Sequence, residues 1–179
     1  MPRLIPSRST LAVIDLQTRL IPALLDADVV LSNTRRLLAA AGMMGVPVVF
    51  TEQNPKGLGP TVPELMPDLA LESAVVATKM AFDATSVLAA HLPPDHAVIL
   101  AGCEAHVCVL QTALGLMAMG REVHVVEDAV GSRTAGNKAA GLRRLERHGA
   151  DIITTEMAVF EWMESATHPR FRDVIALIR

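Results

Sequence analysis

AVILAGCEAHVCVLQTALGLMAM, residues 97–119, is the stretch on which the fold turns. Residues 97–101 are apolar without alternation, the mark of a strand covered on both faces, and residues 106–119 carry a helical pattern. Outward from there the same pairing recurs. Short apolar, β-branched runs at 11–14, 46–51, 74–78, 122–126 and 151–155 predict five further strands. Helical patterns at 29–44, 85–91, 134–148 and 157–164, with a last one near the C-terminus, fill the intervals. The first of these stops at Gly45, with Pro47 just beyond, a usual helix ending. Strands that lead in turn into helices predict an α/β fold built on a parallel sheet. The interval 52–73 holds Pro55, Gly57, Gly59, Pro60, Pro63 and Pro67 and is expected to be irregular; loops of that length are usually functional. No repeat, low-complexity tract or linker divides the chain, so one domain over residues 1–179 is expected.

Composition narrows the function. Apolar residues make up 51% and charged residues 20% of the chain, which excludes intrinsic disorder. The net charge of -3 offers no attraction to nucleic-acid phosphates, and 3% aromatics offer no stacking platform for single strands. No apolar run reaches the roughly 20 residues that span a bilayer. Arg3, Arg8, Asp15, Gln17 and Arg19 break up any signal-peptide core. Two cysteines are no disulfide framework, and a cytoplasmic location is expected.

In such a sheet, ligands gather beyond the carboxyl ends of the strands. The polar residues expected there are Asp15, Glu52, Gln53, Lys79, the segment 103–108, and Glu127 with Asp128. Cofactor motifs do not fit. The turn after the first strand, DLQTR at 15–19, lacks the glycines of a dinucleotide fingerprint. GSRTAGNK at 131–138 imitates a phosphate loop but has Asn137 where the lysine must stand, and reads as a turn entering a helix. Cys103, His106 and Cys108 lack the spacing and the fourth ligand of a zinc site. No cofactor is expected.

Three residues remain. Asp15 interrupts an apolar strand, where an unpaired carboxylate would be costly. Lys79 ends the third strand. Cys108 falls in the first turn of its helix, near free backbone N–H groups and the positive end of the dipole. Those surroundings favour a thiolate, so its pKa is expected below the roughly 8.5 of a free thiol, with Asp15 working against that shift, or else the Asp15–Cys108 pair is expected to share one proton as a coupled unit. Cys103, at the end of an apolar strand, is expected to be an inert, buried thiol. A carboxylate, an ammonium and a thiol at one sheet edge make an acid–base–nucleophile set.

The chain resembles the isochorismatase-like cysteine hydrolases, through VIDLQ at 13–17, VFTEQNPKGLG at 49–59, KMAF at 79–82 and GCEAHVCVLQTA at 102–113. The resemblance implies a three-layer α/β/α fold with a six-stranded parallel sheet in the order 3-2-1-4-5-6. It implies a triad in which Asp15 is the general base, Lys79 balances charge and Cys108 attacks a carbonyl carbon to form a thioester. It also places a cis peptide at Cys103–Glu104 and an oxyanion hole at the amides of Glu104 and Cys108. Nicotinamidases of this superfamily hold a metal through an Asp and two His; residues 52–73 contain no His, so no metal is expected. Position alone suggests Gln17, Gln53, Phe82 and His106 as substrate contacts.

The expected activity is metal-independent hydrolysis of an amide-type C–N bond in a small molecule. Two rivals stay open: a vinyl-ether hydrolase using Asp15 as acid, and a binding or scaffold protein of the same fold without turnover. The helix after Cys108 is apolar nearly all round, through Val107, Val109, Leu110, Leu114, Leu116, Met117 and Met119, which predicts a homodimer or larger homo-oligomer.

Overall fold

A computed structural model describes residues 3–65 and 74–178. Six strands, β1 Ser9–Ile14, β2 Val48–Gln53, β3 Val75–Lys79, β4 Ala97–Cys103, β5 Val123–Gly131 and β6 Asp151–Ile153, form one parallel sheet in the order β3-β2-β1-β4-β5-β6. The helices are α1 Ala27–Met44, α2 Pro55–Leu58, α3 Thr85–Leu88, α4 Cys108–Ala118, α5 Ala135–Arg147, α6 Thr155–Met163 and α7 Phe171–Leu177.

Period-two alternation distributes the apolar strands between two cores. Leu11, Val13, Phe50, Ile99 and Ala101 face α1 and α6, packing with Leu37, Leu38, Ala41, Val159 and Trp162. Ala12, Ile14, Val49, Val98 and Leu100 face the other way, onto Leu88, Val109, Ala113, Leu116 and Leu145 from α3, α4 and α5. Both faces of the central strands are therefore dry, the edge strand β3 being partly exposed, and the result is the expected three-layer α/β/α arrangement.

The sequence signals act where expected. Gly45 caps α1 in the left-handed region (φ 69°) with its N–H on Ala41 O. GSRTAGNK is the end of β5 followed by an N-cap, Thr134, whose side chain accepts from Asn137 N at 3.2 Å. Several boundaries move, β1 beginning at Ser9 and β4 ending at Cys103, each two residues beyond the expected limit. β2 lies two residues later than predicted, β6 is shorter, and β5 runs on to Gly131. Between Leu100 and Gly102 the β4–β5 register shifts, so β5 accommodates extra residues there. Glu127 and Asp128 consequently sit inside β5 rather than past its end. Asp128 instead fastens α6, its Oδ1 accepting from Thr155 N at 2.8 Å and Thr155 Oγ1 at 2.9 Å. Of the interval 52–73, residues 54–65 contain a helical turn and a 3-10 turn, Pro63–Leu65; residues 66–73, with Pro67, lie outside those described.

Candidate active site

The order β3-β2-β1-β4 changes direction at β1, and the ends of β1 and β4 lie side by side there. Asp15 is the first residue past β1, with a left-handed backbone (φ 51°) and no exposed surface. Its Oδ1 accepts from Thr51 Oγ1 at 2.7 Å and its Oδ2 from Lys79 Nζ at 2.6 Å. Lys79 lies two strands away, roughly 10 Å by strand spacing. Its stem bridges that gap by crossing the end of β2, where Gln53 is its register partner. The ammonium also donates to Gln53 Oε1 at 2.9 Å and to the carbonyls of Ala81 and Phe82, each at 3.3 Å. A buried ion pair is tolerated only when such extra bonds satisfy both partners.

Cys108 opens α4, and both members of this pair, Asp15 and Lys79, act on its thiol. The Cys103–Glu104 peptide bond is cis. Glu104 O accepts from the amides of Val107 and Val109, whereas among the described residues the amides of Glu104 and Cys108 donate to no protein acceptor. The turn is anchored from outside: Glu104 Oε2 accepts from Arg133 N at 2.9 Å and Nε at 3.0 Å, and Oε1 from its second terminal nitrogen at 2.6 Å. Those bonds hold the Glu104 carboxyl below its ordinary range against the opposing effect of burial.

The thiol departs from expectation. Burial above all, then the Asp15 charge, pushes Cys108 up to about 12, and Lys79 only partly opposes them. The helix terminus and the ammonium do not prevail, because the sulfur is desolvated and a carboxylate stands next to it. Cys108 therefore rests as a thiol. Cys103 is fully buried, donates its Sγ–H to Asp15 O at 3.2 Å, and is also raised, first by desolvation.

The four positional guesses separate. Gln17 is buried and binds backbone: Nε2 donates to Gln53 O at 3.0 Å and Gly59 O at 2.6 Å, and Oε1 accepts from Gln53 N at 2.8 Å. Gln53 bonds Lys79 directly. Phe82 is exposed and reaches Lys79 only through its carbonyl. His106 shares a 3.0 Å hydrogen bond with Ser132 Oγ. Glu52 is a loop staple, its Oε1 accepting from Thr61 N at 2.7 Å and Oγ1 at 2.9 Å. Thr51 and Arg133 were missed, since neither a strand hydroxyl nor a turn arginine carries a distinguishing sequence signal.

Among the described residues no three His, Cys, Asp or Glu side chains converge as a metal site. A cavity of about 450 Å³, lined in part by Asp28, Arg35, Arg36 and Glu64, contains none of Asp15, Lys79 and Cys108. No helix among the described residues is long and apolar enough to cross a membrane.

A search of solved structures finds the ribonuclease MAR1 of Caenorhabditis elegans, 36% identical, with a TM-score of 0.90 over 99% of this chain and 92% of that one. The Escherichia coli YcaC protein, described as an octameric hydrolase of unknown specificity, aligns over 99% of this chain and 88% of its own with a TM-score of 0.85. At 24% identity that likeness speaks for the fold alone. Isochorismatase domain-containing protein 2 of Danio rerio is 35% identical over 176 residues, which is 98% of this chain and 89% of that protein. The family model for the isochorismatase domain matches residues 9–157, so the chain, with its parallel 3-2-1-4-5-6 sheet, belongs to the isochorismatase family of hydrolase folds.

Proposed function

We propose that the protein is a metal-independent cysteine hydrolase that cleaves an amide-type C–N bond of a small molecule. The observation that carries this reading is the buried Lys79–Asp15 pair, 2.6 Å across, set beside a thiol at a helix start. Cys108 Sγ attacks the carbonyl carbon as its proton passes to Asp15, so no free thiolate accumulates. The oxygen that gains charge is met by the amides of Glu104 and Cys108. Collapse breaks the C–N bond, and the departing nitrogen takes the proton from Asp15. Water then attacks the thioester and gives a proton to Asp15. The C–S bond breaks, and the sulfur recovers its proton. Lys79 balances the carboxylate whenever Asp15 is ionised. Two free thiols suit a reducing compartment, the cytoplasm.

The test is turnover against a panel of amides, carbamoyl compounds and thioesters, with single-stranded RNA included because of the name the nematode neighbour bears. A covalent acyl-enzyme on Cys108 should appear by mass spectrometry with a turned-over member. Cys108→Ala should lose activity by about three orders of magnitude or more, as expected for removal of a nucleophile. Activity that survives Cys108→Ala but not Asp15→Asn would overturn the reading in favour of acid catalysis on a vinyl ether.

A further inference from the structure

Lys79 Nζ carries three donors and is surrounded by four acceptors, of which only Asp15 is charged. Gln53 Oε1 is the nearest neutral one at 2.9 Å, against 3.3 Å for each carbonyl. The Gln53 amide has one sensible orientation, because Nε2 donates to Met80 O at 2.7 Å; turned over, it would set N–H against the ammonium. Its backbone is clasped on both sides by Gln17, which accepts from Gln53 N and donates to Gln53 O. Gln17 in turn is buried and tied to Gly59 O at 2.6 Å.

We infer that Gln53, braced by Gln17, is a positioning residue that keeps the Lys79 ammonium in place while Asp15 gains and loses a proton. The inference rests on the catalytic triad proposed above. When Asp15 takes the proton of Cys108, the ion pair loses its negative member, and the ammonium loses its one charged anchor. A neutral acceptor that does not titrate holds it without adding a second negative charge to the site. A glutamate at position 53 would instead compete with Asp15 for the ammonium and disfavour an anionic sulfur.

The experiment needs no substrate. Alkylation of Cys108 by iodoacetamide is followed by peptide mass mapping from pH 7 to 10, in wild type, Gln53→Met, Gln53→Glu, Lys79→Met and Gln53→Met/Lys79→Met, each checked by thermal melting. Lys79→Met should slow alkylation, and Gln53→Glu should slow it about tenfold, the change in thiolate fraction for one pKa unit. Gln53→Met should also slow it, and that effect should vanish in the Lys79→Met background, as for a residue that acts through the lysine. If Gln53→Met does not fold, Gln53→Asn, a neutral amide one methylene too short to keep the same hold on the ammonium, alone and with Lys79→Met, carries the same comparison. Equal slowing in both backgrounds, or no slowing, overturns the positioning role while leaving the triad standing. An unaffected Lys79→Met overturns the triad and this inference together.

Discussion

Glu104 stands between the turn that carries Cys108 and the loop that leads into α5, and its charge decides whether the two stay joined. Three bonds from Arg133 keep its carboxyl ionised below the usual glutamate range. A carboxyl depressed in the folded state stabilises the fold above its unfolded value of about 4.3. That contribution disappears as pH falls through the folded value. Wild type should therefore melt higher than Glu104→Gln near pH 6, and the gap should close on acidification below about pH 4. A gap independent of pH, in melts followed by circular dichroism, would show that packing rather than charge is at stake. Asp15, Lys79 and Cys108 were legible because each is the wrong residue type for an apolar strand end or a helix start. Thr51 and Arg133 were not, because a hydroxyl or a guanidinium is ordinary where they occur. Only the fold shows that they face Asp15 and Glu104. The thiol's upward shift was also invisible in the sequence, since burial is the largest of its causes.

Strand ends, more than strand interiors, determine where the site residues stand. β4 and β1 meet closely at Gly102, whose φ of 117° puts it where side chains are disfavoured. A Cβ there would fall 2.0 Å from the carbonyl oxygen of Ile14, a backbone atom of the neighbouring strand. Gly102→Ala should cost about 4 kcal/mol or more, or leave the protein insoluble, because neither the strain nor the clash can be relieved locally. Gly45→Ala is the contrast: φ is 69° but no atom lies within 4 Å, so only about 1 kcal/mol is expected. Urea denaturation midpoints of the two variants check the pair. The interiors of β1, β3 and β4 and the spans of α1 and α5 follow from apolar runs and stop signals. The end of β5 does not, because the register shift beside Gly102 is made by β4 and β5 together.

As a whole the chain leaves apolar side chains uncovered near the site, Met80 at 72% and Phe82 at 54% exposed, with Met119 at the far end of α4 at 58%. One flank of α4 stays open at Gln111, Ala118 and Met119, so the helix is not enclosed by its own subunit. A homodimer or larger assembly that covers these residues is the expected state in solution. Sedimentation at micromolar concentration should give a mass at least twice 19.1 kDa. Phe82→Asp with Met80→Asp should lower that mass; a wild-type mass of one chain would rule the assembly out. What the sequence by itself determined was the class of fold and the residue types available for chemistry. Apolar period and punctuation are local properties, and an aspartate, a lysine and a cysteine at strand or helix ends are conspicuous without coordinates. What only the tertiary structure decided was how those groups act on one another. The reach of Lys79 across β2, the hold of Gln53 on its ammonium, the tether of Glu104 and the raised thiol all depend on distances and desolvation between segments far apart in the chain. Those quantities exist only once the sheet has closed around the site, because hydrogen-bond geometry and the loss of water belong to the packed molecule and not to any one stretch of it.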